Sequence, residues 1–174
     1  NIAGFAHPVQ MAAIKENGLC YLFMNNYDNN TLSRISFGGS YLNAPTGQNL
    51  GNCGGLDKPH GISLLNDCEI STGYYTTYRT SPQGAIGRLT FSGGVGGTVT
   101  AQSLGNLGNL DNPCSFSELF RANDSLFSFV LNQYNSTMTR FSFPPCSNAS
   151  VPCSTLYNPP IYSYSQPGTY HVRL

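Results

Sequence analysis

The chain has 174 residues, of which 9% are charged and 40% hydrophobic, and its eight Lys+Arg balance eight Asp+Glu. That is the length of one domain of about 100–200 residues, and its neutrality excludes a chain-wide basic face for nucleic acid or anionic lipid. No apolar run reaches the roughly 18 residues of a membrane-spanning helix, and 19 Gly with 11 Pro interrupt every long stretch, which leaves an all-β reading.

In chain order, the first predicted strands cover residues 9–15, 20–26, 32–37 and 47–50, with turns at Glu16-Asn17-Gly18 and Asp28-Asn29-Asn30. Over 32–37, Leu32, Arg34 and Ser36 alternate with Ser33, Ile35 and Phe37. That is the period of two of a strand with one buried face. The pattern then returns in two further units that open at Lys58 and Asn112, as the first opens at His7. Pro8, Pro59 and Pro113 follow those openings; Arg34, Arg88 and Arg140 lie 54 and 52 apart, and Phe37, Phe91 and Phe143 keep that spacing. The tails APTGQNLGNCGGLDKP (44–59) and TVTAQSLGNLGNLDNP (98–113) repeat as well. The step into each proline predicts an extended preceding residue.

Four strands in a period of about 53 residues are the signature of a β-propeller blade. The expected organisation is a partial β-propeller over 1–146, with blades at about 7–57, 58–111 and 112–146. Closed propellers use about 4–8 blades, so three blades predict either a fragment of a longer propeller or an assembly of copies. After Cys146 the repeat stops: a loop is followed by the turn Gln166-Pro167-Gly168 and an alternating strand at 169–174.

Six cysteines and three histidines include no C-x-x-C pair, which argues against a zinc or thioredoxin-type site. The even count fits disulfides and an oxidising compartment. Cys146 and Cys153, seven apart across a Pro-rich loop, are the first predicted pair; Cys20, Cys53, Cys68 and Cys114 leave three pairings open. Asn-x-Ser/Thr sequons stand at Asn29, Asn123, Asn135 and Asn148.

The motifs Tyr21-Leu22-Phe23, Asn25, 30–38 (NTLSRISFG), Pro45-Thr46, Asn49-Leu50-Gly51-Asn52, Pro59-His60-Gly61-Ile62 and the tail from Asn158 form a compound pattern. It resembles the large secreted and cell-surface β-propeller repeat proteins of Bacteroidota that run into a PKD-like, immunoglobulin-type sandwich. The resemblance implies that 147–174 is a Cys-linked loop and a PKD-like β-hairpin. It also implies export by the type IX secretion system and glycosylation at Ser125 in the Asp124-Ser125-Leu126 pattern; the sequons at Asn29 and Asn135 are separate candidate glycosylation sites. Cys20, Cys53, Cys68 and Cys114 are not part of that family pattern.

Candidate chemistry is sparse. His60 sits at a blade entrance, where an innermost strand faces a channel, and is read as a ligand contact or as a turn residue. Arg34, Arg88 and Arg140 recur at one phase of the third strand and form either a ring of ligand-binding cations or repeated structural caps. The aromatic runs at Tyr74-Tyr75-Tyr78 and at Tyr157, Tyr162, Tyr164 and Tyr170 offer stacking faces, although alternation assigns half of them to the core. The two Asn-rich turns, 28–30 and 132–135, hold too few acids for calcium. Gly93-Gly94-Val95-Gly96-Gly97 lacks the Lys-Ser/Thr of a phosphate loop, and no G-x-S-x-G elbow is encoded. No catalytic residue, metal or cofactor is expected.

The expected function is that of a non-catalytic extracellular propeller module of a larger secreted or surface protein, acting in adhesion, polysaccharide or surface binding, or as a scaffold. Two alternatives are a self-assembling extracellular fibre or sheet subunit and a propeller lyase or hydrolase with its site in missing blades. The expected partners are other blades of the same polypeptide or further copies, polysaccharide and secretion machinery, with no nucleic acid and no membrane span.

Overall fold

The computed structural model describes residues 2–67, 70–78, 84–122 and 125–143. They fold into twelve strands, without a helix, arranged as three four-stranded antiparallel sheets that do not close into a barrel. Sheet 1 is β1 (Pro8–Glu16), β2 (Leu19–Asn26), β3 (Thr31–Gly38) and β4 (Thr46–Asn49). Sheet 2 is β5 (Pro59–Asp67), β6 (Ile70–Thr77), β7 (Ala85–Ser92) and β8 (Thr98–Ser103). Both are simple meanders in chain order. The expected turns form: Asn17 and Gly18 carry φ of 49° and 79°, and Asn30 carries 57°, the left-handed values that Asn and Gly tolerate best.

Sheet 3 departs from the four-piece pattern of the other units. It holds β9 (Pro113–Phe116), β10 (Phe120–Ala122), β11 (Ser125–Asn132) and β12 (Thr137–Phe143), and both β9 and β10 pair with β11. Its innermost strand is therefore broken in two. Val130 faces Phe116 and Phe127 faces Phe120, so three residues oppose two across the break, which is a bulge. Leu119 turns inward there to 5% exposure, its amide donating to Ser63 Oγ at 2.9 Å.

The sheets pack in sequence, β1 against β5 and β5 against β9. Between sheets 1 and 2 lies a core that includes Phe23, Leu32, Ile62, Tyr75, Leu89 and Val95, all 0–1% exposed; between sheets 2 and 3, Ile86, Phe116 and Val130 form a smaller one. At about 25 cal/mol per Å² of apolar surface removed from water, these two interfaces are the dominant stabilising contribution. Gly87 lets sheet 2 hold the Tyr75 ring: a Cβ on Gly87 would fall on that ring.

The prolines do not follow an extended residue. His7, Lys58 and Asn112 have φ of 50°, 44° and 57°, a conformation costing roughly 1–2 kcal/mol for a non-glycine residue. Tertiary hydrogen bonds hold it. The carbonyls of His7, Lys58 and Asn112 accept from the amides of Tyr27, Tyr78 and Gln133 at 3.1, 2.8 and 3.1 Å, so each unit turns sharply into its innermost strand.

A second correction concerns cysteine. Cys20 is buried, Cys53 and Cys114 are half-buried, and all three are free thiols rather than half-cystines. Cys20 is 2% exposed inside sheet 1, and Cys53 Sγ faces the Leu50 and Gly51 carbonyls. Each acts as a small apolar side chain. Cys68, the Cys146–Cys153 pair, Asn123, Asn148, Asp124 and the whole of 147–174 lie outside the described residues.

Candidate functional site

A register shift recurs at the start of the innermost strands, between Pro8 and Met11 in β1, between Pro59 and Ile62 in β5, and at Pro113 against Asn132. Such bulges re-aim side chains. In β1 the shift turns Gln10 inward, where its amide spans to sheet 3. Its Nε2 donates to Phe116 O at 2.7 Å, and its Oε1 accepts from Phe116 N at 3.1 Å. In β5 it leaves His60 half-buried, stacked on Tyr78. Asn25, on sheet 1, fixes that bulge by donating Nδ2 to the His60 and Gly61 carbonyls at 3.2 and 3.0 Å.

At this end the rings of two units meet, with Gln133 of the third beside them. His60 stacks on Tyr78 with centroids 5.2 Å apart, Tyr78 meets Tyr27 edge-on at 5.8 Å, and His7 meets Tyr27 at 5.4 Å. Lys58 Nζ stands 4.5 Å over the Tyr27 ring, a cation–π contact. His7 Nδ1 lies 3.3 Å from Asp28 Oδ1 on the open surface, and Tyr78 donates its hydroxyl to Gln133 Oε1 at 3.1 Å. The result is a half-buried aromatic row edged by one cation, one carboxylate and amide groups.

His60 is held neutral. Burial lowers its pKa below the ordinary 6.5, with a smaller downward push from His7 and an opposing pull from the Cys114 backbone. Its Nδ1 is buried without a hydrogen-bond partner, an unspent polar atom in an otherwise aromatic patch.

The three repeating arginines are not gathered beside His60. Arg34 lies on β3 opposite Gln48 of β4, its Nη1 donating to Val95 O and Gly97 O in the β7–β8 hairpin. The glycine-rich segment is thus a hairpin tip clamped by sheet 1. Glu16 Oε2 accepts from Val95 N at 2.8 Å on its other side, and its Oε1 receives the Ser71 hydroxyl. Arg88 is exposed on β7 opposite Tyr74, and Arg140 is exposed on β12 with its guanidinium carbon 6.0 Å from the Phe127 centroid.

Of the tyrosine run, Tyr75 is fully buried, Tyr74 packs on Phe143 at 4.2 Å, and only Tyr78 joins the patch. Asn29 and Asn135 occupy exposed turns, each accepting the hydroxyl of its own sequon threonine at 2.8 and 2.6 Å. Ser125 begins β11 and is half-buried. Tyr27, Lys58 and Gln133 were not singled out from sequence. Their signal was positional, since Tyr27, Tyr78 and Gln133 share one phase of the repeat.

A cleft of about 290 Å³ runs between the innermost strands, lined by Gln10, Met11, Ile62, Leu64, Phe116 and Glu118 among others. It presents one carboxylate, Glu118, where glycoside hydrolysis uses two. Among the described residues no three His, Cys, Asp or Glu side chains gather as metal ligands, and no helix is long and apolar enough to cross a membrane. No family model, curated protein or solved structure matches the chain.

Proposed function

We propose that the three sheets are successive blades of a β-propeller, and that the chain is a non-catalytic extracellular module of a larger secreted or surface protein. Its aromatic patch holds neutral, hydroxyl-rich polymer such as polysaccharide. Three features support the propeller reading: the meander order of sheets 1 and 2, the sequential packing of β1, β5 and β9, and the same bulge at the start of each innermost strand. Exposed sequon asparagines and the resemblance to Bacteroidota surface proteins favour an exported setting.

The observation that carries the binding reading is the row Tyr27–Tyr78–His60 with Lys58 beside it. Aromatic faces take the C–H face of a sugar ring, while the Tyr and His polar edges take its hydroxyls. Affinity electrophoresis through gels containing soluble neutral or acidic polysaccharides tests this. Retardation by at least one polymer is expected, and it should be lost in Tyr27→Ala/Tyr78→Ala with the far-UV spectrum unchanged. Equal mobility of wild type and variant in every gel overturns the binding reading.

A further inference from the structure

The stacking of the sheets follows one rule of contact. In sheet 1, Phe23 stands opposite Arg34 and packs on Phe91 of sheet 2, with centroids 5.5 Å apart. In sheet 2, Tyr74 stands opposite Arg88 and packs on Phe143 of sheet 3 at 4.2 Å. Phe91 and Phe143 are the same position of the repeat. In sheet 3 the corresponding pair is Phe129 opposite Arg140, and among the described residues no further sheet meets it.

That face has the composition of an interface. Phe127, Phe129, Leu131 and their cross-strand partners point away from sheet 2, because Leu126, Ser128 and Val130 point toward it and neighbours along a strand alternate. Phe120 stacks on Phe129 at 6.0 Å, and Leu131 and Met138 are 50% and 60% exposed. Contiguous apolar surface of this kind marks an interaction site.

The rule names the residue type that is missing: the Phe91-equivalent of one more sheet. The chain itself carries that group on the outer side of sheet 1, where the Ala3 carbonyl accepts the Ser33 hydroxyl and Phe37 packs on Tyr41 at 5.4 Å. Phe37, the first member of the Phe37/Phe91/Phe143 series, follows Ile35 on the face of sheet 1 turned away from sheet 2, together with Met11, which is 58% exposed. We infer that sheet 3 of one chain docks on sheet 1 of a second copy, placing Phe129 against the second copy's Phe37 as Phe23 lies against Phe91. Arg140 then has the carbonyls of the β3–β4 loop to donate to, as Arg34 has those of the β7–β8 hairpin. Two copies related by a two-fold axis bring six sheets, within the roughly 4–8 blades of a closed ring. Ring closure rests on the propeller reading; the docking face rests on the contact rule alone.

Sedimentation equilibrium of the full chain over a range of concentrations tests it. A species of twice the chain mass is expected, reverting to monomer in Leu131→Glu/Met138→Glu, whose targets are half-exposed and tolerate charge in the isolated fold. The same reversion is expected for Met11→Glu on the opposite face, whereas Tyr134→Glu, at a turn outside both faces, should leave the dimer intact. Open-ended polymers abolished by the same variants would keep the docking face and overturn the closed ring. A monomer at every concentration overturns the inference. If that monomer is also destabilised by Leu131→Glu/Met138→Glu, residues 144–174 of the same chain become the occupant instead.

Discussion

Arg34 reaches 61 residues along the chain to donate 2.8 Å to the Val95 carbonyl, in a hairpin whose Val95 amide is held by Glu16. One residue of sheet 2 is thus gripped at both backbone groups by opposite charges from sheet 1, while its side chain is fully buried between the sheets. A sequence read as a glycine loop is a latch. Glycine is required at Gly94, which has φ of 78° and where a Cβ would meet the Glu16 carboxylate.

The latch predicts coupled losses. Hydrogen bonds to charged groups contribute about 1.5–3 kcal/mol when removal leaves a partner unpaired. Arg34→Ala and Glu16→Ala should each lower stability by about 1–3 kcal/mol, read as a fall in the urea midpoint at unchanged slope. Their double variant should lose less than the sum, because both hold one segment. Full additivity would mean that the two residues act separately.

Gly87 lies under the fully buried Tyr75, whose hydroxyl pKa burial pushes up to about 12. Gly87→Ala should cost about 1–3 kcal/mol or more by overpacking. Gly93→Ala, at φ of 78° but with open space around its Cβ, should cost only the backbone strain of about 1–2 kcal/mol. Thermal unfolding of the two variants checks the order. A Gly87 variant as stable as wild type would mean that the Tyr75 ring has room to move.

His60 makes stability depend on pH in one direction. Its folded pKa lies below the ordinary 6.5, so the unfolded chain takes up its proton first. Its contribution is therefore fully present above 6.5 and is lost as pH falls through that value toward the folded pKa. The melting temperature should drop between pH 7.5 and 5.5, and this drop should shrink in His60→Gln. An identical profile in the variant would assign the effect to other groups.

Burial pushes the Cys53 thiol up to about 11, which leaves almost no thiolate at pH 8. Under non-reducing conditions, Ellman's reagent should leave Cys53 unmodified in the native protein. Once the chain is unfolded in denaturant, Cys20, Cys53 and Cys114 should all react. Peptide mapping that finds any of these three in a disulfide would contradict the free thiols.

The strands of the first sheet were legible because alternation and turn chemistry agree there: the range expected for 32–37 became Thr31–Gly38, and that for 20–26 became Leu19–Asn26. The repeat made the sheet number legible too. The left-handed His7, Lys58 and Asn112 were not, because the rule for residues before proline is local, while the amides that hold their carbonyls come from a neighbouring strand. The break in the innermost strand of sheet 3 depends on Leu119 finding Ser63, 56 residues away. Of the patch, His60 was visible as a histidine just inside a unit entrance. Tyr27 and Tyr78 were masked by the default that alternating aromatics pack inward, which Tyr75 obeys and Tyr78 does not.

Gln10 couples the first sheet to the third across 106 residues of sequence, so that sheet 2 is not the sole bond between them. In arrays where each unit touches only its neighbours, unfolding can fray from one end. Here, loss of β1 would also strip the Phe116 amide and carbonyl of their partners. Opening of the first sheet is therefore expected to unprotect the Phe116 amide of the third unit, so that its exchange with solvent tracks the opening of β1.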